Sequence, residues 1–295
     1  MTRGRRRGVA LAGLLLLAGV VRARPVALAA QSPVFRSRAD VVIVDVAVRT
    51  GNRPVASLTK DDFELRDNNV VQTIASVTYG ALPIDVRLLV DLSGSVNNDQ
   101  LARYQAAMRQ VEAALTADDR CEISTFARRI RQTVALRTPP MAASLQRLEL
   151  DGTSFNDAAI LSMITVAHPG RRQLTMLLTD GIDTYSFFDL PTLIDAAKRT
   201  DAVVYAVSAV DSRRVSLSQD QLKRLATTTG GQLLTIGLGA DIGPALTQAI
   251  AEFRQTYVLD YTPAGVPREG WHTIVVTVPK AKAYTIRARQ GYFGG

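Results

Sequence analysis

Between residues 84 and 253, short apolar runs alternate with longer segments whose apolar residues recur at helical spacing. The runs have the length and composition of strands buried on both faces. They lie at residues 86–90, 121–126, 174–179, 203–207 and 232–236, and the helical segments lie at 99–115, 154–167, 190–199, 218–228 and 241–253. This order predicts an α/β, Rossmann-like fold, a doubly wound and mainly parallel sheet with helices on both faces. Residues 129–136 are predicted to add one antiparallel strand, because only a tight turn precedes them.

The segments on either side of this region show the alternation and the turn residues of β structure. Strands are predicted at residues 39–48, 70–79, 257–261, 273–278 and 284–288. Neither flank is large enough to bury a core alone, so we expect the two to pair in one small β unit. The predicted organisation is an N-terminal β segment (38–82), an α/β domain (83–255) and a C-terminal β segment (256–295) that pairs with the first.

The first 29 residues have the pattern of a secretory signal peptide. Four arginines lie within residues 3–7, an apolar run occupies residues 9–21, and small residues precede a cleavage point near Ala29. A retained membrane anchor is the weaker alternative, because the run is shorter than the roughly 20 residues that span hydrocarbon. We therefore predict an exported protein, periplasmic or extracellular, with no stable membrane span after cleavage.

The net charge does not indicate a nucleic-acid partner. The formal charge is +8, but six arginines and no acidic residue lie within residues 1–29, so removal of that segment leaves +2. A charge this small does not steer a protein toward a polyanion.

Oxygen-bearing side chains follow the predicted strands at three loops. The first loop has the pattern D-x-S-x-S, with Asp91, Ser93 and Ser95; Thr153 precedes a helix, and Asp180 follows the strand at residues 174–179. Ligands of open parallel sheets bind at the carboxyl ends of the strands, where the strand order reverses. Hydroxyls and a few carboxylates suit Mg²⁺, which keeps several of its waters. The first pattern alone would be an ordinary turn with a helix cap, so the prediction depends on all three loops.

With the three loops taken together, the chain resembles the von Willebrand factor type A family over roughly residues 84–253. The metal-ion-dependent adhesion site of that family has a D-x-S-x-S string, a Thr one loop on, and an Asp in a later T/S-D-G loop. The resemblance implies direct ligation by Ser93 and Ser95, direct or water-mediated ligation by Thr153, and mostly water-mediated contact by Asp91 and Asp180. It also implies Mg²⁺, with Mn²⁺ as a substitute, and an open position for an acidic side chain of a protein partner.

The flanks resemble a bacterial family related to the von Willebrand factor A proteins. That family places the signals V-x-V-x-V, G-x-P-V and L-x-x-x-D-F before the domain, and Y-x-L-x-Y and R-x-G-Y after it. These signals occur here at residues 42–48, 58–63, 257–261 and 289–292, and residues 51–55 match the second one with one extra residue, as G-x-x-P-V. The resemblance does not identify the partner.

No catalytic residues are predicted. His168 and His272 are not paired with a nucleophile, and Ser93 lacks the G-x-S-x-G elbow of a serine hydrolase. A phosphatase of the haloacid dehalogenase kind needs a second acid where Ser93 stands. Asp157 and Asp183 are predicted to be a solvated charge and a loop cap rather than metal ligands.

We therefore predict a non-enzymatic, adhesion-type module that binds a protein partner through a metal ion. The alternative is a non-catalytic scaffold of an exported complex, which binds its partner through the β unit and in which the metal is incidental.

Overall fold

The computed structural model describes residues 41–94, 96–146, 152–164, 168–210, 217–280 and 283–295. The predicted signal peptide at residues 1–29 lies outside the described residues. Within the described ranges, no helix is both long enough and apolar enough to cross a membrane.

The described chain folds into strands and helices in the following order. The strands are β1 (Val42–Thr50), β2 (Arg53–Pro54), β3 (Glu64–Asp67), β4 (Val70–Gln72), β5 (Ile74–Tyr79), β6 (Ile84–Asp91), β7 (Arg120–Phe126), β8 (Ile130–Arg137), β9 (Arg172–Leu178), β10 (Val203–Val210), β11 (Leu233–Gly237), β12 (Tyr257–Tyr261), β13 (Gly270–Thr277), β14 (Thr285–Ala288) and β15 (Gly291–Gly294). The helices are α1 (Asn98–Ala114), α2 (Phe155–Met163), α3 (Leu190–Arg199), α4 (Leu217–Thr228) and α5 (Gly243–Arg254), and Lys60–Asp62 forms a 3-10 turn.

The central sheet has the order β11-β10-β9-β6-β7-β8. Its neighbouring strands are parallel except for β7 and β8, which are antiparallel. This confirms the predicted doubly wound sheet and the one antiparallel strand. The chain goes from β6 to β7 on one side and later returns to β9 on the other side. The strand order therefore reverses at β6, which places the ligand-binding crevice of such a sheet at the carboxyl end of this strand.

Helices cover both faces of the sheet, which explains why the central strands β6 and β9 are buried throughout. Helices α1 and α5 pack on one face through residues such as Met108 and Phe253. Helices α2, α3 and α4 pack on the other face through Phe155, Leu193 and Leu225. Every residue of β6 is buried, as expected for the central strand of a parallel sheet.

The two flanks form one β unit, which confirms that part of the predicted fold. Strand β1 pairs antiparallel with β12 and β14, and β13 pairs antiparallel with β3 and β15. The resulting sheets have the orders β14-β1-β12-β5 and β15-β13-β3-β4. They share one apolar core that includes Val44, Leu65, Tyr257 and Ile274. Each flank thus buries its apolar side chains against strands of the other flank.

Several predicted element bounds were wrong. The single strand expected at residues 70–79 is two strands, since β4 pairs with β3 in one sheet and β5 pairs with β12 in the other. The chain changes sheets at Thr73, and the buried Gln72 amide exchanges hydrogen bonds with the backbone of Ala264. The helix expected at residues 154–167 ends at Met163, while residues 165–167 lie outside the described ranges. Strands β2, β3 and β15 were not predicted.

A buried carboxylate at the amino end of the central sheet is expected to make stability depend on pH. Asp85 in β6 accepts hydrogen bonds from Arg120 (2.8 Å) and Arg171 (2.6 Å), and Nδ1 of His168 lies 3.0 Å from it. Burial raises the pKa of Asp85, but the two arginines outweigh burial and hold it below its usual value of 3.8. A lowered folded-state pKa means that the stability is present above the unfolded pKa and is lost as pH falls through the folded pKa.

We expect Asp85→Asn to lower the free energy of unfolding by roughly 2 kcal/mol at pH 7, the magnitude of charge-assisted hydrogen bonds. The difference from wild type should shrink as pH falls from about 5 to about 2, because wild-type Asp85 then also loses its charge. Urea unfolding followed by circular dichroism at several pH values measures both effects. A constant difference over this interval would contradict the proposed source of the stability.

Candidate metal centre

The first predicted site residue ends the central strand. Asp91 is the last residue of β6 and is only 4% exposed. One oxygen of its carboxylate accepts a hydrogen bond from the backbone N–H of Ser93 (3.0 Å), and the other accepts one from the hydroxyl of Thr179 (2.8 Å). Both oxygens are therefore held in fixed orientations, and the buried Ser93 lies directly beside them.

The charge of Asp91 is held in an unfavourable environment. Burial raises the pKa of Asp91, hydrogen bonds from Ser93 and Thr179 oppose that rise, and the neighbouring charge of Asp180 adds to it. Burial also raises the pKa of Tyr104 in α1 to about 12, and the charges of both aspartates contribute. The two carboxylates are thus close enough to act on each other and on the same phenol. A divalent cation between them would offset this repulsion.

The loop after β9 brings Asp180 to the edge of the sheet. The Thr179 hydroxyl, which donates to Asp91, also accepts from the backbone N–H of Gly181 (3.0 Å), and Asp180 accepts from the N–H of Ile182 (3.0 Å). Gly181 has φ +79°, and a Cβ there would lie 2.8 Å from Cγ of Leu222 and 3.0 Å from a backbone oxygen of α4. Only glycine fits this tight turn. The role of Thr179 was not predicted from the sequence, although its position directly before Asp180 in the T-D-G string could have indicated it.

The third loop reaches the same edge through the neighbouring strand. Phe126 of β7 lies opposite Asp91 in the ladder, and the next residue, Ala127, accepts a hydrogen bond from the N–H of Ser154 (2.8 Å). Thr153 is buried. Its carbonyl accepts from the backbone N–H groups of Thr184 (2.9 Å) and Tyr185 (3.0 Å) in the loop after β9. The loops that hold Asp91, Thr153 and Asp180 are therefore joined by hydrogen bonds, whereas the predicted ligand Ser95 lies outside the described residues.

Asp157 and Asp183 hold a loop in place. The carboxylate of Asp157 accepts from the backbone N–H groups of Phe187 and Phe188, at 2.9 Å each. Asp183 accepts from the Ser186 hydroxyl (2.5 Å), in keeping with the predicted loop cap. The prediction of a solvated charge at Asp157 was wrong, because both of its carboxylate oxygens accept backbone hydrogen bonds from a loop 30 and 31 residues away along the chain.

The histidines lie far from this edge. His168 is beside Asp85, six residues before Asp91 in a strand that rises about 3.3 Å per residue. His272 belongs to the β unit, where its Nδ1 lies 2.8 Å from the buried Asp67. The strand geometry therefore places His168 about 20 Å from Ser93, too far for general-base catalysis.

The donor set fits a hard, oxygen-preferring cation. Within the described ranges, no three His, Cys, Asp or Glu side chains cluster as a metal site. The edge offers two mutually repelling carboxylates together with Ser and Thr hydroxyls, rather than the nitrogen and sulfur ligands of zinc. Such a site suits Mg²⁺ or Mn²⁺ with water in part of the coordination shell.

The region that contains the central sheet matches a known protein family. The family model described as von Willebrand factor type A domain matches residues 85–236, about half of the 295-residue chain. No curated protein sequence matches the chain.

Several solved structures are similar in fold. A von Willebrand factor type A protein from Catenulispora acidiphila is 12% identical with a TM-score of 0.49, and the match covers 88% of this chain and 75% of that one. Proximal thread matrix protein 1 of the mussel byssus is 13% identical (TM-score 0.48), with 58% of this chain matching 48% of that protein, about half its length. The manganese-loaded TRAP protein of Plasmodium vivax is 12% identical (TM-score 0.45), with coverage of 78% and 99%.

Proposed function

This chain belongs to the von Willebrand factor type A domain family, and we propose that it is an exported, metal-dependent module that binds a protein partner. Domains of this family are generally non-catalytic interaction modules. In the proposal, one Mg²⁺ ion, replaceable by Mn²⁺, is held by Asp91, Ser93, Ser95, Thr153 and Asp180. The bound metal would supply a Lewis-acidic position for an acidic side chain of the partner.

The pairing of Asp91 with Asp180 supports this proposal most directly. Asp91 is buried at the switch point of the sheet and both of its oxygens are oriented; burial raises its pKa, and the nearby charge of Asp180 adds to the rise. Buried carboxylates usually have a cationic partner, since an isolated buried charge is unfavourable. The hydrogen-bond donors to the Asp91 carboxylate, Ser93 and Thr179, are uncharged, and the neighbouring Asp180 carries the same charge, so none of these groups neutralises it. A resident divalent cation would.

The predicted signal peptide supports export, and its removal is expected near Ala29. N-terminal sequencing of the protein recovered from the periplasm or the medium of the host tests this part. A mature chain that begins at Met1 would contradict it.

The metal site is tested by isothermal titration calorimetry with Mg²⁺ and Mn²⁺. We expect wild type to bind one ion, and Ser93→Ala and Asp180→Ala to weaken that binding roughly tenfold or more, because each removes an oxygen donor. Asp195→Ala serves as the matched control, since this carboxylate is 60% exposed on α3 and pairs only loosely with Lys198 (3.5 Å). Circular dichroism establishes that all variants are folded. Equal binding by wild type and Asp180→Ala would contradict the ligand assignment and favour the scaffold alternative.

A further inference from the structure

The loop between β9 and α3 exposes large apolar side chains. Ile182 is 51% exposed, Tyr185 50%, Phe187 88% and Phe188 42%, and we call these four residues the aromatic ridge. The rings of Phe187 and Phe188 pack edge to face with centroids 5.1 Å apart. Single exposed apolar residues are common on soluble proteins, but four within one short loop are typical of an interaction site.

Hydrogen bonds hold the backbone of the aromatic ridge in place. Asp157 accepts from the N–H groups of Phe187 and Phe188, and the amide of Asn156 donates to the carbonyl of Phe188 (3.1 Å). Asp183 accepts from Ser186, whose hydroxyl also accepts from the N–H of Asp157 (3.1 Å). These bonds hold the backbone that carries the apolar side chains, which lowers the loss of backbone entropy when a partner binds.

The aromatic ridge is continuous with the candidate metal centre. Ile182 directly follows the Asp180-Gly181 turn, and its N–H donates to the Asp180 carboxylate. Tyr185 donates its N–H to the carbonyl of Thr153, and the Thr153 N–H donates to the Thr184 hydroxyl (2.9 Å). A partner whose carboxylate reached the metal would therefore lie next to these apolar side chains.

Positive charge borders the aromatic ridge. The guanidinium of Arg128 lies 4.0 Å from the ring centre of Tyr185 and is hydrogen-bonded to its hydroxyl, and Arg129 is exposed beside it. The neighbouring carboxylates of Asp157 and Asp183 already accept hydrogen bonds from the protein. The two arginines thus offer positive charge to an acidic partner at this border.

We propose that the aromatic ridge forms the apolar half of the binding surface, and that the partner is a protein segment with an acidic residue next to a large apolar side chain. This inference rests on the proposed function, because the acidic residue is assigned to the metal. A protein segment fits better than an anionic membrane, since a segment can bring one carboxylate to the metal without laying many negative charges over Asp91 and Asp180.

The test is a selection of phage-displayed random peptides on the full chain in the presence of Mg²⁺, followed by affinity measurements with the enriched peptides after synthesis. We expect enriched sequences to combine Asp or Glu with a nearby Phe, Tyr, Trp, Leu or Ile. The double variant Phe187→Ser, Phe188→Ser should bind these peptides at least about tenfold more weakly than wild type, because it removes two exposed aromatic rings. Its affinity for Mg²⁺ alone should equal that of wild type.

Val71→Ser is the matched control, because Val71 is 56% exposed on β4 of the β unit, outside the sheet that carries the metal centre. Enrichment of acidic peptides without apolar neighbours, or unchanged affinity of the double variant, would overturn the aromatic ridge while leaving the metal-dependent function intact. Failure to enrich acidic peptides, or binding that EDTA does not affect, would count against the proposed function itself. Binding to phosphatidylglycerol vesicles that the double variant loses and EDTA leaves unchanged would assign the ridge to a lipid surface and overturn the proposal.

Discussion

Asp91→Asn is expected to abolish the stabilisation of the fold by Mg²⁺ while leaving the metal-free protein at least as stable as wild type. Asparagine keeps an acceptor for the N–H of Ser93, and the Thr179 hydroxyl can accept from the new amide as readily as it donates to the carboxylate. The substitution removes a charge that burial and Asp180 disfavour. In metal-free buffer the free energy of unfolding should therefore stay the same or rise by up to about 1 kcal/mol.

Thermal unfolding with and without Mg²⁺ measures this effect. At a Mg²⁺ concentration of about 100 times its dissociation constant, binding adds about 2.7 kcal/mol to wild type, or roughly 5–10 °C in Tm for a domain of this size. Asp91→Asn should show no such shift, while the exposed-site variant Asp195→Ala should behave as wild type. An Asp91→Asn protein that is destabilised and still responds to Mg²⁺ would show that Asp91 has a structural role and that the metal binds elsewhere.

Arg172→Ala is expected to lower the free energy of unfolding by about 3–5 kcal/mol, the magnitude observed when one member of a buried ion pair is removed. Arg172 begins β9 and is 5% exposed. Its Nε donates to Asp45 of the β unit (2.7 Å), another of its nitrogens donates to Thr256, and its guanidinium lies 3.9 Å from the ring centre of Phe253. Burial raises the pKa of Asp45 and Arg172 opposes that rise, so the variant leaves a carboxylate without its principal partner.

Urea unfolding of wild type, Arg172→Ala and the double variant Asp45→Asn, Arg172→Met checks this prediction. The double variant should recover most of the lost stability, because neither unpaired charge remains and methionine restores part of the packing on Phe253. Arg66→Ala is the matched control, since Arg66 is 43% exposed in a pair with Glu64 and should cost less than about 1 kcal/mol. A loss of similar size in Arg66→Ala and Arg172→Ala would contradict the importance of the buried pair.

The sheet could be predicted from the chain because its signal is local. The run at residues 86–90 of β6 is apolar except for Arg87, which indicates burial on both faces, and the helical spacing that follows predicts the helix that covers one face. The same reasoning located Asp91 and Asp180 at one edge, since all parallel strands end on the same side. The prediction of the antiparallel strand β8 also depended only on the short turn before it.

Contacts between distant parts of the chain were not predictable in this way. The role of Asp157 depends on Phe187 and Phe188, and residues 70–79 divide between two sheets because their partners come from opposite ends of the chain. Asp45 and Arg172 are 127 residues apart, so nothing near either residue indicates the other.

The sequence by itself determined the α/β class, the pairing of the β flanks, and the three loops that carry the candidate metal ligands. These features follow from the period of the apolar residues and from the rule that parallel strands end at one edge. Only the tertiary structure decided which hydroxyl orients Asp91, which carboxylate holds the aromatic ridge in place, and which carboxylate pairs with Arg172. Such partners are chosen by packing in three dimensions, where a polar group is satisfied by whichever donor or acceptor the fold brings within hydrogen-bonding distance.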